Sequence, residues 1–544
     1  MPQELLGELV REGKNRTPSR LALVWRDQEI SYLTLDGQID RVAFSLRRLK
    51  VRPGDRIALY LHNLPHFVVA FYALQRLGAV PVPLNIYWKG RDLRYLLEES
   101  LVSGVITIAP YFERFKELMP VLPEINWVIA ITAGGSQPAG SMAWEELLNE
   151  PLSEPVYEDL DAVEPALLAF TAGRTGPSRP VLLSHFNLLA NCQQMQDLTQ
   201  AHFWGGWDED DEDHRDTAGI LPIVSSFEVT LLALPLFNLF SLNIGLNLTY
   251  FLGGTVVLQE RFDPAQALEL VEQRSCTLIF GSPAIFSQLV HTPGFAAAHL
   301  ESLRYAFSYG GPLAAEIRDV WRKKTGTPIF NCYGVTEASP LLCCEAASEP
   351  SKEPSGEDFV GKPLPIIQLS LQGPGGKMLP PEQAGELLAK GPNMMLGYFN
   401  PAEPDQPHLV KTDGWFPTGD MAVADEEGNF QIIDRKEDIL MLPKGELLVP
   451  RDIERVLETH PGIWTAAALP YTAPDGRNRM IAFVVINQAG RNLTEPLLLH
   501  YCDRRLPSSH CPERIFIFQE PDFPRLPNGA IWRRALRAQI PEYL

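Results

Sequence analysis

Short apolar runs alternate with stretches of helical spacing along most of this chain, and no other feature restricts its fold as strongly. Leu35–Leu49 reads as an amphipathic helix and precedes the apolar run Arg56–Leu61, which Pro53-Gly54-Asp55 introduces. Phe67–Leu77 is helical again and leads into Gly78–Leu84; Val105–Ile108 and Trp127–Thr132 follow as strands, and Phe186–Leu198 as a further helix. Strands separated by helices return through crossovers rather than tight hairpins, so an α/β fold with largely parallel sheets is expected. The rhythm resumes after residue 218. Leu231–Leu252, apolar all round, reads as a buried helix–strand pair, Gly254–Leu258 as a strand, Asp263–Arg274 as a helix and Thr277–Gly281 as a strand.

Past the polar loop 346–357 the pattern shifts to short strands with Gly/Pro turns, which suggests a smaller β-rich subdomain up to Asp434. Mixed strands and helices follow. A boundary at Asp434-Arg435 therefore divides a large domain, residues 1–434, from a small α+β domain, residues 435–544.

One loop in this framework is built for an anion. The strand Leu167–Phe170 runs into Thr171-Ala172-Gly173-Arg174-Thr175-Gly176-Pro177-Ser178-Arg179-Pro180, then a second apolar stretch and Ser184-His185-Phe186-Asn187, a helix-capping pattern. Two glycines, hydroxyls and cations between apolar elements let backbone N–H groups converge on phosphate while a side chain offsets its charge. No Gly-Lys-Ser/Thr ends the loop, so it is not a Walker pattern. On its own it reads equally well as a Gly/Thr-rich surface turn.

The formal net charge of −20 argues against nucleic acid as the main partner, because a phosphate-backbone surface needs a basic stripe. A nucleotide remains compatible, since one pocket can be basic on an acidic protein. The six consecutive acids Asp208–Asp213 repel one another and favour solvent. The seven cysteines show no CxxC spacing, so neither a disulfide framework nor a zinc site is suggested. The polar N-terminal stretch is unlike a signal peptide, and apolar runs are too interrupted for a membrane span. A cytoplasmic location is expected.

Five further segments give the loop a context: Tyr309-Gly310-Gly311-Pro312; Asn331-Cys332-Tyr333-Gly334-Val335-Thr336-Glu337; Thr418-Gly419-Asp420; Asp434-Arg435-Lys436-Glu437-Asp438; and Pro527-Asn528-Gly529-Ala530. Their order and separation resemble the adenylate-forming superfamily of acyl-CoA synthetases, peptide-synthetase adenylation domains and luciferases, with a layout most similar to AMP-forming fatty acyl-CoA synthetases. The resemblance spans nearly the whole chain. It implies two α/β subdomains and a β-rich subdomain followed by a mobile C-terminal domain. It also implies ATP, Mg²⁺ and CoA, or a carrier-protein thiol in place of CoA, acting on a small carboxylic acid.

By the same resemblance, Gly310, Gly311 and Pro312 border the adenine and Tyr333 stacks on it. Asp420 accepts the ribose hydroxyls and Arg435 helps hold the ribose. Thr336 contacts the α-phosphate, Glu337 holds Mg²⁺, and Thr171, Gly173, Thr175 and Gly176 close over the outer phosphates. Glu437 marks the hinge about which the C-terminal domain turns.

Three segments depart from the pattern. The loop carries Arg174, Arg179 and Pro180 where the family has a small hydroxyl residue, lysine and glycine. Asn238, in Leu234-Pro235-Leu236-Phe237-Asn238, replaces a histidine, and Ala530 replaces the lysine that bridges the substrate carboxylate and α-phosphate. Loss of one preorganised donor of that kind costs roughly 3–4 kcal/mol, about 10²–10³-fold in rate. The expectation is an acyl-CoA synthetase-like ligase for a fatty acid with impaired adenylation. The alternative is a non-catalytic homologue that binds acyl-AMP, AMP or acyl-CoA, or serves as a partner protein.

Overall fold

The structure, a computed structural model, describes residues 5–132, 134–149, 155–156, 158–173, 177–204, 228–345, 358–404, 414–442, 447–473, 475–524 and 531–543. Arg174, Thr175, Gly176, the acidic run Asp208–Asp213 and Ala530 lie outside them. The chain forms two compact units. The first comprises Met1–Thr171, Arg179–Leu369 and Ala389–Phe416; the second comprises Ala172–Ser178, Ser370–Leu388 and Pro417–Leu544.

The expected α/β alternation is present in the first unit. One sheet runs Val80–Pro83, Arg56–Tyr60, Gly104–Ile108, Trp127–Ile131, Met142–Ala143, with every neighbouring pair parallel. A larger sheet has a parallel centre, Ile329–Gly334, Tyr305–Tyr309, Leu278–Gly281, Val229–Leu232, Thr255–Leu258, Leu21–Trp25, with antiparallel strands at each end. Between consecutive parallel strands lie helices such as Pro264–Arg274, started by the Asp263 side chain accepting from Gln266 N.

Two helices show what the spacing revealed and what it missed. Tyr32–Arg48 starts three residues before the apolar stripe at Leu35, because the Ser31 side chain caps it, accepting from Thr34 N at 3.2 Å. Leu35, Ile39, Val42, Ala43 and Leu46 then line one buried face. Pro65–Arg76 has no solvent face. Its Arg76 is fully buried and pairs with Asp36 and, at 2.6 Å, with Asp40, so the buried charge is compensated.

Leu231–Leu252 is a strand followed by a helix, Val229–Leu232 and then Phe240–Phe251, whose first eight residues have π-helical hydrogen bonding. Asn243 inside it donates to Leu188 O at 3.0 Å and Ser339 O at 2.7 Å, which satisfies two buried carbonyls.

The second unit contains the β-rich part, with strand order Met378–Leu379, Gln368–Gln372, Gly385–Lys390, Phe416–Ala424, Phe430–Arg435. Its C-terminal part is α+β. Ile463–Thr472 pairs antiparallel with Asn478–Ile486, which pairs parallel with Arg514–Phe518. Alternate residues serve opposite faces: Ala466 and Ala468 join one buried cluster with Ile453 and Leu457, while Ala467 and Leu469 join another with Leu536 and Ile540. No helix among the described residues is long and apolar enough to cross a membrane.

Candidate functional site

The Thr171–Pro180 loop is the tip of a β-hairpin. Pro165–Phe170 and Pro180–Ser184 pair antiparallel, with Phe170 opposite Pro180. Thr171 N donates to Arg179 O at 3.0 Å, and Arg179 N donates to the Thr171 hydroxyl at 2.9 Å. The hydroxyl at position 171 thus closes the loop across its base. Gly173 has φ +62°, a conformation that favours glycine. Pro180 is the first residue of its strand, where a missing N–H is tolerated, and its carbonyl accepts from Phe399 N at 2.9 Å. At the strand's far end, Ser184 and Asn187 cap each other reciprocally, at 3.0 and 3.1 Å, and open the helix that carries His185.

Two more candidate segments follow the C-terminal ends of adjacent parallel strands of the larger sheet, the usual position for ligand-binding loops in such sheets. Tyr305–Tyr309 ends at Gly310, whose φ is +97°, followed by Gly311 and Pro312. Ile329–Gly334 carries Tyr333 and ends at Gly334, where an added Cβ would lie 1.9 Å from Pro340 O; no other residue fits. The Tyr309 hydroxyl donates to Gly334 O at 3.2 Å, which ties the two strand ends together. The Tyr309 ring stacks on Phe240, with centroids 4.6 Å apart. Asn238 accepts from Phe240 N at 2.9 Å, so its side-chain oxygen starts the helix there.

Thr336 and Glu337 sit in a single 3₁₀ turn after Gly334. Glu337 is 9% exposed. The Tyr398 phenol donates to Glu337 Oε1 at 2.6 Å, and Glu337 Oε2 has no hydrogen bond among the described residues. Burial, and then the Glu337 carboxylate, push the Tyr398 hydroxyl well above the usual phenol range. Over the other side of this tyrosine lies Arg179, its guanidinium carbon 3.3 Å from the ring centroid. The first unit therefore brings the loop cation, the candidate metal carboxylate and an unanticipated tyrosine into one chain of contacts. Sequence reading missed Tyr398. A buried phenol needs a partner, but nothing local to Gly397-Tyr398 names a residue sixty-one positions earlier.

In the second unit, Asp420 and Arg435 face each other across Phe416–Ala424 and Phe430–Arg435. Arg435 Nε lies 3.1 Å from Asp420 Oδ1, and Arg435 also donates to Thr418 O at 3.2 Å. The Thr418 hydroxyl accepts from Asp420 N at 3.2 Å. Glu437 is exposed in the turn after this strand, with Arg537 NH1 at 3.5 Å. Arg537 also pairs with the buried Asp438.

Residues 10–399 match the family described as AMP-binding enzyme. The chain belongs to the AMP-binding enzyme family. Across this family the chain is similar to a feruloyl-CoA synthase of Amycolatopsis sp, 31% identical over 490 residues that cover 89% of each chain. It is also similar to a long-chain-fatty-acid–CoA ligase of Bacillus subtilis (strain 168), 26% identical over 566 residues that cover 98% of this chain and 94% of that one. Its fold is that of ATP-bound MatB from Rhodopseudomonas palustris, at TM-score 0.82 with 24% identity and 98% of both chains covered. An AMP-binding enzyme of this fold has the large sheet-rich N-terminal domain and small C-terminal domain that the sequence pattern implied.

Proposed function

We propose that this AMP-binding enzyme is an acid–thiol ligase that activates a carboxylic acid, of the fatty class, as an acyl adenylate and passes the acyl group to CoA or a carrier-protein thiol. The observation that carries this reading is Glu337, buried in the turn after Tyr333-Gly334 with one carboxylate oxygen held and the other without a hydrogen bond among the described residues. A carboxylate so presented fits a hard divalent cation.

In the first half-reaction a carboxylate oxygen of the acid bonds to the α-phosphorus of ATP and the bond to the β-phosphate oxygen breaks, releasing pyrophosphate. In the second, a thiol sulfur attacks the acyl carbonyl, loses its proton, and AMP leaves. Gly310, Gly311 and Pro312 border the adenine, and Tyr333 stacks on it. Asp420 accepts the ribose hydroxyls and Arg435 orients that carboxylate. Thr336 contacts the α-phosphate; Thr171, Gly173, Thr175 and Gly176 cover the outer phosphates with Arg179 supplying charge. Mg²⁺, when held by Glu337, offsets charge on the phosphates. Residues 435–544 turn about Glu437 between the half-reactions. The cytoplasm supplies ATP and CoA and is the proposed location.

Ala530 and Asn238 leave two charge-bearing positions neutral, so adenylation is slow. The same two positions, with the altered loop, favour a second reading: a non-catalytic homologue that retains AMP, acyl-AMP or acyl-CoA. Pyrophosphate release measured with a panel running from long-chain fatty acids to ferulic acid separates the two. Acid-dependent release above background supports the ligase. No release, with calorimetric binding of AMP and a non-hydrolysable acyl-AMP mimic, supports the second reading. Absence of both sinks the assignment.

A further inference from the structure

We infer that Tyr398 is a positioning residue that fixes the Glu337 carboxylate through its hydroxyl and the Arg179 guanidinium through its ring, so that metal and outer phosphates are received by one preset unit. The inference rests on the nucleotide-site reading above and assigns a role to a residue outside its motifs. Three observations carry it. The phenol-to-carboxylate hydrogen bond is 2.6 Å long at a tyrosine only 6% exposed, so solvent competes weakly with it. It engages Oε1 and leaves Oε2 unengaged among the described residues, which selects one oxygen and one rotamer for a cation. On the ring's face, Arg179 at 3.3 Å is the only side-chain contact described for a guanidinium on an otherwise exposed residue.

The tyrosine is itself immobilised. Gly397-Tyr398 pairs antiparallel with Val181 and Leu182, the strand that emerges from the loop. Met395 N donates to the Glu337 carbonyl at 2.8 Å, and Asn393 Nδ2 donates to Ala338 O at 2.6 Å. Segment 393–399 thus splices the loop's exit strand to the Thr336–Ala338 turn. Ordering both partners before ligand arrives reduces what binding must spend on fixing them.

The test uses the full chain and reads binding rather than turnover. Mn²⁺ is titrated by electron paramagnetic resonance in the presence of ATP, and ATP and AMP affinities are measured calorimetrically. Tyr398→Phe keeps the ring under Arg179 and removes the hydroxyl; Mn²⁺ affinity of the ATP complex falls about tenfold, while metal-free AMP affinity is unchanged. Arg179→Gln, an exposed side chain whose replacement keeps the backbone bonds to Thr171, lowers ATP affinity about 2- to 5-fold and leaves AMP affinity unchanged. Rescue of Mn²⁺ affinity by Tyr398→His, which restores a donor, supports the inference further. Wild-type Mn²⁺ affinity in Tyr398→Phe overturns it and leaves the nucleotide site standing. If the unaltered protein binds AMP but no Mn²⁺·ATP, the metal role of Glu337 falls, and this inference with it. If Tyr398→Phe fails to fold, equal loss of ATP and AMP affinity in Arg179→Gln overturns the coupled unit.

Discussion

Asp420 and Arg435 form a cross-strand ion pair: they sit opposite each other in register, with Arg435 Nε 3.1 Å from Asp420 Oδ1. Asp420 is only 6% exposed, so its carboxylate is held in a set orientation, as the proposed ribose contact requires. Asp420→Ala should weaken AMP binding about 10- to 100-fold, the loss expected for charge-assisted hydrogen bonds worth roughly 1.5–3 kcal/mol. Arg435→Ala should weaken it less, because it leaves the Asp420 carboxylate itself in place to accept hydrogen bonds. Isothermal titration with AMP checks both; unchanged affinity in Asp420→Ala would remove it from the ribose site.

Ala530 is the departure with the largest expected effect on chemistry. Ala530→Lys should raise acid-dependent pyrophosphate release about 10²–10³-fold if the rest of the site is intact. No gain would place the defect at the Thr171–Pro180 hairpin or at Asn238, whose amide oxygen caps the helix at Phe240.

His185 should make the protein sensitive to mild acid. Its Nδ1 accepts from Leu6 N at 3.3 Å, which requires the neutral ring, and burial lowers it from 6.5 to about 4. Between these values the unfolded chain takes up a proton that the folded chain refuses. Stability present above about pH 6.5 is therefore lost as pH falls toward 4, about 3 kcal/mol in all. Urea midpoints at about pH 7.5 and about pH 5 should differ strongly for the unaltered protein and less for His185→Asn. Equal slopes would assign the acid sensitivity to other groups.

Thiol reactivity should follow burial. All seven cysteines are unpaired by disulfides, and six of them are buried. Burial pushes the Cys276 and Cys502 thiols up to about 12, and raises Cys192, Cys332 and Cys343 well above the usual thiol range. At about pH 8 a water-soluble disulfide reagent should label Cys511 first and the other six only in denaturant. Rapid native labelling of Cys332 or Cys344 would contradict the packing of the strand that carries Tyr333.

The periodicity of the chain determined that strands and helices alternate, because spacings of two and of 3.6 residues are local and each segment carries its own. Motif order determined the family, and the capping pattern at Ser184–Asn187 was legible for the same local reason. Helix starts were less legible where the cap preceded the apolar stripe, as at Ser31.

Tertiary structure alone decided that the phosphate-loop candidate is a hairpin tip, that Asp420 is answered by Arg435, and that Tyr398 stands between Arg179 and Glu337. Each depends on which strand pairs with which and in what register. Register is set by burial summed over segments far apart in the chain, and a one-residue slip would turn Tyr398 to the opposite face. The loop that first suggested a nucleotide was visible in the sequence; the tyrosine that joins it to the Glu337 carboxylate became visible only through the pairing of Gly397-Tyr398 with Val181 and Leu182.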